Sequence, residues 1–321
     1  TGEGGLPEAH LKGGADIVFQ IGTAKYGVCG SSGRLDEARL RQVASHEQVR
    51  MFEIKLSQGA KPGKGGILPA EKVTPEISVI RGIPAGESSI SPNRHPDIDS
   101  ADDLLDMIAR IRELTGKPVG FKAVIGEGEW LEQLCHKILA RGVDAAPDFI
   151  TIDSADGGTG AAPASLIDYM GLPLHESLPL VVDLLTKHGL RQRIRIIASG
   201  KLTNPGKVAW ALSMGCDFAV SARGFMFALG CIQALQCNKN TCPTGITTHD
   251  ERLQRGLVVG EKSKRVANYA AALQREVETI AHSCGVPEPR LLRREHCRVV
   301  RADGRSVSLA ELYPAGDAGS A

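Results

Sequence analysis

The sequence predicts an α/β fold of the (β/α)8 TIM-barrel type in which the first two strands of the barrel are missing. Three observations predict it. Short β-branched runs alternate with amphipathic helical patterns, which is typical of βαβ units and a parallel sheet. The chain has 321 residues, of which 42% are hydrophobic, and one barrel takes about 250 residues. Aromatic residues make up only 4%, whereas 37 residues are glycine, which favours a parallel sheet with backbone-lined loops over a sandwich.

The apolar runs predict six strands, at residues 17–21, 51–55, 119–124, 149–153, 195–198 and 218–221. Helical periodicity predicts five helices between them, at residues 36–46, 102–114, 131–140, 180–188 and 205–214. Ser100 and Asp103 form a capping box ahead of the second helix, and Pro179 suits the start of the fourth. A closed barrel needs eight strands. Either two strands precede Thr1, which the glycine-rich start favours, or the sheet is open and doubly wound.

The alternation of strands and helices stops after Cys242. An apolar stripe from residue 266 to 280 predicts a long C-terminal helix, and residues 298–301 and 306–309 suggest a small strand pair. The tail after Pro314 is rich in Gly, Ala and Ser, and we expect it to be loose. The predicted organisation is a barrel over residues 1–260, carrying a cysteine loop at 231–243, and a C-terminal helix and tail over 261–321 that pack on the barrel.

Charge and hydropathy exclude some classes of protein. The formal net charge is +1, which gives no electrostatic reason to expect nucleic acid or an anionic membrane as a partner. No apolar stretch reaches the roughly 20 residues of a membrane span, and no signal peptide is visible. We therefore expect a cytoplasmic protein. The chain begins at Thr1 in a glycine-rich stretch, so we expect a fragment or a processed chain. An upstream membrane anchor is the alternative to a cytoplasmic protein.

Three of the eight cysteines, Cys231, Cys237 and Cys242, fall within a dozen residues, and Pro243 follows the last. A compact inorganic cluster takes its thiolates from one short loop, and three local ligands suit a three-iron cluster unless a distant fourth exists. A zinc site usually takes cysteine pairs two to four residues apart, which this spacing fits poorly; inert thiols are the third alternative. We expect Cys231 on a helix that begins at Gly224 and the other two on the loop after it. Cys135 and Cys216 are expected to be buried core thiols.

Two glycine turns follow the last two predicted strands. Ser199 and Gly200 end one strand, and Ala222, Arg223 and Gly224 follow the next. In barrels, the turns after strands seven and eight bind phosphate through backbone N–H groups, to which Arg223 adds charge. The alternative is that the glycines only end the strands.

A third glycine loop contains Asp156, Gly157 and Gly158. It does not follow the dinucleotide-binding fingerprint. A loop with so few side chains allows a flat ring or a substrate to lie against the backbone, and a simple flexible lid is the alternative. The loop at residues 58–66, rich in Gly and Lys, indicates either a mobile anion-handling segment or a solvated loop.

Two lysines, Lys55 and Lys122, lie within predicted strands. A lysine inside a barrel is costly unless it meets an anion, and at the carboxyl end of a strand it faces the active site. A cation there is expected to stabilise negative charge on a bound cofactor or substrate. The alternative is a structural pair with a barrel carboxylate such as Glu53.

Taken together, these segments resemble the FMN-binding domain of glutamate synthases, in the shorter form that lacks the amidotransferase domain. The resemblance rests on Thr1-Gly-Glu-Gly-Gly, on residues 53–66, on Ile90-Ser-Pro, on residues 156–161 and on the three clustered cysteines. It implies an FMN-dependent barrel with a 3Fe–4S cluster bound by Cys231, Cys237 and Cys242. It also implies reductive amination of 2-oxoglutarate, through 2-iminoglutarate, to glutamate.

The resemblance further implies the partners. Ammonia or another amine supplies the nitrogen, and ferredoxin or an NAD(P)H-linked reductase supplies electrons through the cluster. A homo-oligomer is compatible with it. Two alternatives stay open: an N-methylglutamate synthase-like or other amine-transferring FMN oxidoreductase, and a non-catalytic iron–sulfur subunit that only relays electrons.

Roles carry over to matching residues. Lys55 and Gln58 would contact flavin and 2-oxoglutarate, Arg81 would bind a substrate carboxylate, and Glu3 falls in the active-site glycine loop. Lys122 would face the flavin ring. The flavin and its phosphate would be lined by Asp156, Gly157, Gly158, Ser199, Gly200, Ala222, Arg223 and Gly224. The sequence departs from the family pattern at His95-Pro96, Cys237-Asn238 and Ala198-Ser199-Gly200.

Overall fold

A computed structural model describes residues 1–156, 158, 162–167 and 170–314 of the chain. Its strands are β1 (Ile17–Ile21), β2 (Val49–Lys55), β3 (Ile67–Leu68), β4 (Ser89–Ile90), β5 (Val119–Ala123), β6 (Phe149–Asp153), β7 (Arg195–Ser199), β8 (Phe218–Val220), β9 (Arg298–Val300) and β10 (Ser306–Ser308). Its α-helices are α1 (Glu8–Lys12), α2 (Glu37–Ser45), α3 (Pro75–Arg81), α4 (Ala101–Thr115), α5 (Glu129–Arg141), α6 (Leu174–Lys187), α7 (Pro205–Ser213), α8 (Ala222–Leu229), α9 (Glu251–Gln254), α10 (Val259–Ser283) and α11 (Leu309–Leu312).

The main sheet has six parallel strands in the order β1-β2-β5-β6-β7-β8. These are the six strands predicted from the sequence, each within two residues of its predicted bounds. Helical crossovers join the strands, and the sheet curls into a partial (β/α)8 barrel with β1 and β8 at its two edges. The carboxyl ends of parallel strands meet on one side of such a sheet, and that side carries the sites of barrel enzymes.

The helices form where capping and apolar periodicity coincide. The capping box predicted at Ser100 and Asp103 is present at the start of α4, whose face of Leu104, Ile108 and Ile111 is buried. Full burial of such a side chain contributes about 1.5–3 kcal/mol.

The predicted start of the fourth helix was wrong. Helix α6 begins at Leu174, and Pro179 lies inside it. Proline removes one helical hydrogen bond, but Leu178, Val181 and Leu185 of the same helix are fully buried, and this burial keeps the helix continuous through the proline.

The C-terminal part packs onto the end of the barrel. Helix α10 contacts α7 and α8, and Val277 and Ala281 bury its inner face. Strands β9 and β10 pair antiparallel, which confirms the predicted strand pair, whereas the tail predicted to be loose lies beyond the described residues. Cys135 and Cys216 are buried, as predicted. No helix in the described part of the chain has the length and apolar character needed to cross a bilayer.

Candidate active site

Polar side chains gather at the carboxyl ends of four neighbouring strands. Lys55, Asp153 and Ser199 are the last residues of β2, β6 and β7, and Lys122 is the next-to-last residue of β5, in register with Lys55. A cavity of about 680 Å³ opens at this rim. A second cavity, of about 310 Å³, shares Lys122, Ser199 and Gln58 with the first as walls. We call them the first and second cavities; they adjoin at these shared residues.

In the first cavity, the structure brings together Glu3, Lys55 and Gln58. The Nζ atom of Lys55 lies 2.9 Å from Oε2 of Glu3 and 3.0 Å from Oε1 of Gln58. The backbone of Gly66 lies so close to Glu3 that a Cβ at this position would be 2.1 Å from Oε1. The glycine therefore allows the loop to pack against the carboxylate and to hold it beside Lys55.

The structural alternative, a pair with a barrel carboxylate, is confirmed for Lys122, which pairs with Asp153 at the end of β6, but Glu53 is the partner of neither lysine. Glu53 accepts hydrogen bonds from Gln20 and Thr151, whereas Lys55 pairs with Glu3 and Lys122 lies 3.2 Å from Oδ2 of Asp153. The β2 side chains alternate, so Glu53 and Lys55 are on the same face, but tertiary neighbours decide which cation each carboxylate meets.

Asp153 contacts several residues at the rim and was not among the predicted site residues. Its Oδ2 atom accepts a hydrogen bond from the backbone N–H of Gly59 at 2.9 Å, and its Oδ1 atom accepts one from Oγ of Ser199 at 2.9 Å. With the ion pair to Lys122, these contacts fix the lysine at the junction of the two cavities. The sequence signal that could have identified Asp153 is a carboxylate at the end of a buried strand.

Two cations of the first cavity are without an internal carboxylate. The guanidinium of Arg81, on the last turn of α3, lies over the Tyr26 ring at 4.8 Å, and Lys61 is only 8% exposed. Neither forms an ion pair with any residue that the structure describes. Burial lowers the pKa of Lys61 and the neighbouring charge of Lys55 lowers it further, whereas the charge of Glu3 opposes the shift. Because an unpaired buried charge is costly, this arrangement favours an anionic ligand.

Lys61 was missed as a site residue because the loop at 58–66 was interpreted as either mobile or solvated. In the structure Gly59, Ala60 and Lys61 are buried, and Ala60 N–H donates to the carbonyl of Ala155 at 2.9 Å. The interpretation as a solvated loop was therefore wrong for this part of the segment. A lysine set between glycines in a loop after a strand was the signal that could have found it.

The second cavity has a helix N-terminus on its wall. Helix α8 begins at Ala222, and the side chain of Ser221, its N-cap residue, makes no capping hydrogen bond. Ser221 Oγ instead lies 3.2 Å from Oη of Tyr269. Ala222 and Arg223 line the cavity, and Arg223 Nη2 donates to the carbonyl of Gly158 at 3.0 Å. Free N–H groups at a helix start together with a guanidinium suit an anionic group such as phosphate.

The glycine turn after β7 closes the same cavity. Gly200 has φ +153°, and a Cβ there would lie 2.2 Å from that of Ser154, so only glycine allows this approach. Asp156 lines the cavity and pairs with Lys201 at 2.8 Å. Burial raises the pKa of Asp156, but hydrogen bonds from Lys201 and Ser154 outweigh it and hold the pKa below its usual range.

One predicted lining residue, Gly224, lies apart from the others. Gly224 is not among the residues that line the cavities; it lies under Tyr269, where a Cβ would be 1.9 Å from the phenolic oxygen. Gly157 lies outside the described residues. His95 is buried and lines neither cavity.

The three clustered cysteines all line the second cavity, and each is half-buried. The prediction that Cys231 lies on a helix was wrong, because α8 ends at Leu229 and Gly230 takes a left-handed conformation with φ +102°. Burial raises the pKa of Cys242, but hydrogen bonds from Thr244 and Thr247 bring it down to about 6. This loop therefore favours a thiolate at Cys242, the form that binds metals.

Lys72 joins this cysteine loop to the barrel, a contact that sequence reasoning missed. The lysine is 7% exposed, and its Nζ atom donates to the carbonyls of Cys237 at 2.9 Å and Thr247 at 2.7 Å. Burial lowers its pKa, which Cys237 and Cys242 oppose. Its two carbonyl partners lie 165 and 175 residues away along the chain, so no local sequence signal indicates this contact.

Replacing Lys72 with Met is expected to loosen the cysteine loop while the barrel stays folded. Two carbonyls lose a charged donor, at a cost of about 1–3 kcal/mol for each one left unsatisfied. Hydrogen exchange over residues 231–248 measures the effect, and far-UV circular dichroism reports on the barrel. Lys264→Met, at an exposed position of α10, is the matched control. Unchanged exchange rates in Lys72→Met would contradict the role of this lysine.

Comparison with known proteins identifies the family. A family model described as the conserved region in glutamate synthase matches residues 1–287. The chain belongs to the glutamate synthase family. The matched region contains both cavities, the cysteine loop and all of α10.

Several members of the glutamate synthase family align over nearly the whole chain. The glutamate synthase large subunit-like protein YerD of Bacillus subtilis (strain 168) is 43% identical over 312 residues, which cover 97% of this chain and 59% of that protein. The archaeal glutamate synthase (NADPH) of Methanocaldococcus jannaschii is 34% identical, with 99% of this chain and 59% of that protein covered. The chain thus spans about 60% of the length of these relatives.

Solved structures with low sequence identity share the fold. A mandelate oxidase bound to (S)-4-hydroxymandelic acid has a TM-score of 0.50 at 15% identity, and covers 90% of this chain and 67% of that one. A mutant of flavocytochrome b2 has a TM-score of 0.50 at 13% identity, and covers 87% of this chain and 52% of that one. These similarities agree with the partial-barrel topology of this glutamate synthase family member.

Proposed function

We propose that this chain is the FMN- and iron–sulfur-dependent part of a glutamate synthase-type oxidoreductase, which converts 2-oxoglutarate and ammonia, through 2-iminoglutarate, to glutamate. The observation that carries the proposal is the pair of joined cavities. One holds two cations that form no ion pair with any described residue, and the other adjoins a free helix N-terminus and the three clustered thiols. The names of the related glutamate synthases support the same activity.

The residues of the second cavity fit FMN. The uncapped start of α8, with Arg223, offers donors to a phosphate, and Gly200 gives the backbone access that a bulkier residue would deny. When bound, FMN supplies the hydride for the reaction. Lys122, held by Asp153 at the junction of the cavities, is the cation that would stabilise negative charge on the flavin ring.

The cysteine loop fits a cluster better than a single zinc ion. A zinc ion bound at about 2.3 Å to each sulfur brings its ligand atoms within about 4 Å of one another. Among the described residues, the trio whose ligand atoms all lie within 4.8 Å is Glu132, His136 and His188, and the thiols form no such group. Three thiols spread around one cavity suit the larger iron–sulfur core, for which Cys231, Cys237 and Cys242 would be the ligands.

The first cavity fits a dicarboxylate. Arg81 and Lys61 are two separate cations, and 2-oxoglutarate and 2-iminoglutarate each carry two carboxylates, so each charge would find a partner. Lys55 Nζ holds a proton within hydrogen-bond reach of Glu3 Oε2. This pair can exchange a proton with the substrate nitrogen, which must be protonated to accept a hydride at the adjacent carbon. A protein that only relayed electrons would have no need of two unpaired cations here.

Anaerobic single-turnover assays test the proposal. The FMN-loaded protein is reduced chemically and mixed with 2-oxoglutarate and ammonium, and flavin absorbance and glutamate are followed. We expect flavin reoxidation with one glutamate formed per flavin. A parallel reaction with 2-oxoglutarate and methylamine, in which flavin reoxidation would yield N-methylglutamate, tests the amine-transferring alternative. If neither pair reoxidises the flavin, although FMN is bound, the proposed activity is wrong.

Replacing Lys55 with Ala is expected to lower the rate of flavin reoxidation by about 100-fold or more, the usual contribution of a positioned acid–base group. The fold should be retained, because the hydrogen bonds of Lys55 Nζ to described side chains are those to Glu3 and Gln58, at the rim of the site. Single-turnover kinetics measures the loss, and thermal unfolding checks the fold. The control is Lys264→Met. A rate within about twofold of the parent would remove Lys55 from the site.

A further inference from the structure

A second cluster of ligand-type side chains lies between two neighbouring helices, away from both cavities. Glu132 and His136 are four residues apart on α5, so they lie on one face of the helix. His188 is the C-cap residue of α6. One carboxylate oxygen and one nitrogen from each imidazole all lie within 4.8 Å of one another. None of the three residues lines the first or the second cavity.

The imidazole of His188 lacks the contact that its burial requires. Its side chain is 9% exposed, and its Nε2 atom lies 3.5 Å from Oε1 of Glu132. That contact does not satisfy hydrogen-bond geometry, and among the described residues the buried Nε2 atom has no hydrogen-bond partner. The His136 ring meets it edge to face at 4.9 Å. An unsatisfied buried nitrogen is destabilising, so the fold holds His188 in a position that a ligand would stabilise.

We propose that Glu132, His136 and His188 bind a divalent transition-metal ion of the zinc type, which joins α5 to α6. Two imidazoles and one carboxylate are donors that zinc takes, with a water as fourth ligand. Mg²⁺ and Ca²⁺ prefer oxygen donors throughout. Metal–ligand distances of about 2.0–2.2 Å bring ligand atoms within about 4 Å of one another. Small movements of exposed His136 and half-buried Glu132 reach this geometry.

Lys187 competes with the metal for the carboxylate. Its Nζ atom lies 2.6 Å from Oε1 of Glu132, the same oxygen that faces His188. Lys187 must therefore give up this contact when a cation binds. Since its side chain is 61% exposed, water can replace Glu132 as its partner, and the cost of this exchange is small. Removing the lysine should strengthen metal binding.

Zinc titration of the chelator-treated chain tests the site. His136→Ala is the main variant, because His136 is exposed and its replacement should not disturb the core. We expect it to lose one equivalent of zinc or to bind it at least about tenfold more weakly, and to lose the rise in melting temperature that zinc causes in the parent. Lys187→Met should bind zinc more tightly. His282→Ala, another exposed helical histidine, should match the parent.

Zinc held by the cysteine loop is distinguished by comparison of the variants. Zinc bound by thiols should be retained in His136→Ala. The equivalent of zinc bound by Glu132, His136 and His188 should be lost. The proposal is overturned if His136→Ala and Glu132→Gln bind zinc with the parent's stoichiometry and affinity. It is equally overturned if the parent binds zinc only in equivalents that cysteine alkylation abolishes.

Discussion

Replacing Arg81 with Met is expected to weaken the binding of 2-oxoglutarate by about 30- to 100-fold, which corresponds to about 2–3 kcal/mol for a lost charge-assisted contact. Arg81 forms no ion pair with any described residue, and its guanidinium stacks on Tyr26 at the wall of the first cavity. The variant therefore removes a ligand contact and breaks no internal ion pair of the described chain. Isothermal titration of the FMN-loaded protein with 2-oxoglutarate measures the change.

The matched control is Arg110→Met. Arg110 is an exposed arginine on α4 that pairs with Glu37 at 2.7 Å, far from the rim of the barrel, and its loss should leave 2-oxoglutarate affinity unchanged. Titration with 2-oxobutyrate, which lacks the distal carboxylate, separates the roles of Arg81 and Lys61. The variant that has lost the contact to the distal carboxylate should bind 2-oxoglutarate and 2-oxobutyrate with similar affinity. Parent-like affinity in both Arg81→Met and Lys61→Met would rule out the dicarboxylate assignment.

The barrel strands and the rim of the site could be predicted because both depend on local sequence. Buried parallel strands are continuous apolar runs, and the residue that ends each run lies at the carboxyl edge of the sheet. Lys55 at the end of β2 and Ser199 at the end of β7 were located in this way. The close backbone approach at glycines such as Gly200 could also be predicted, since a side chain at such a position would prevent it.

Pairings between distant segments could not be predicted in the same way. Lys72 meets the carbonyl of Cys237 across 165 residues, and Lys55 meets Glu3 rather than Glu53. Each pairing is decided by loop packing, and composition does not encode it. Pro179 shows the opposite error: a local helix-start signal was overridden by the buried apolar face of α6. Local rules thus located the site residues, and tertiary contacts determined their partners.

Two apolar residues of the cysteine loop are exposed. Ile232 is 67% exposed and Leu235 is 53% exposed, and both lie between the first two cysteines. If the loop holds the proposed cluster, these side chains would suit the docking of an electron donor beside it. If the cluster lies between the donor and FMN, electron supply and substrate reduction can be tested separately.

Replacing Cys237 with Ser is expected to abolish the absorbance of the cluster and turnover driven by an external electron donor. A three-iron cluster with two remaining thiolates is held too weakly to persist through purification. Glutamate formation per bound FMN by chemically reduced protein should stay within about twofold of the parent, because Cys237 does not line the first cavity, where the substrate is proposed to bind. Iron content, visible spectra and single-turnover kinetics measure the three quantities.

Cys29→Ser is the control for this experiment. Cys29 is also half-buried and lies outside the cysteine loop, so this variant should keep its iron and its donor-driven turnover. Retention of donor-driven turnover by Cys237→Ser, in protein shown to lack iron, would mean that electrons reach the flavin without the cluster. Loss of both the donor-driven and the chemically reduced reactions would instead indicate that the loop supports the flavin site itself. The two half-reactions therefore separate an electron-transfer role of the thiols from a structural one.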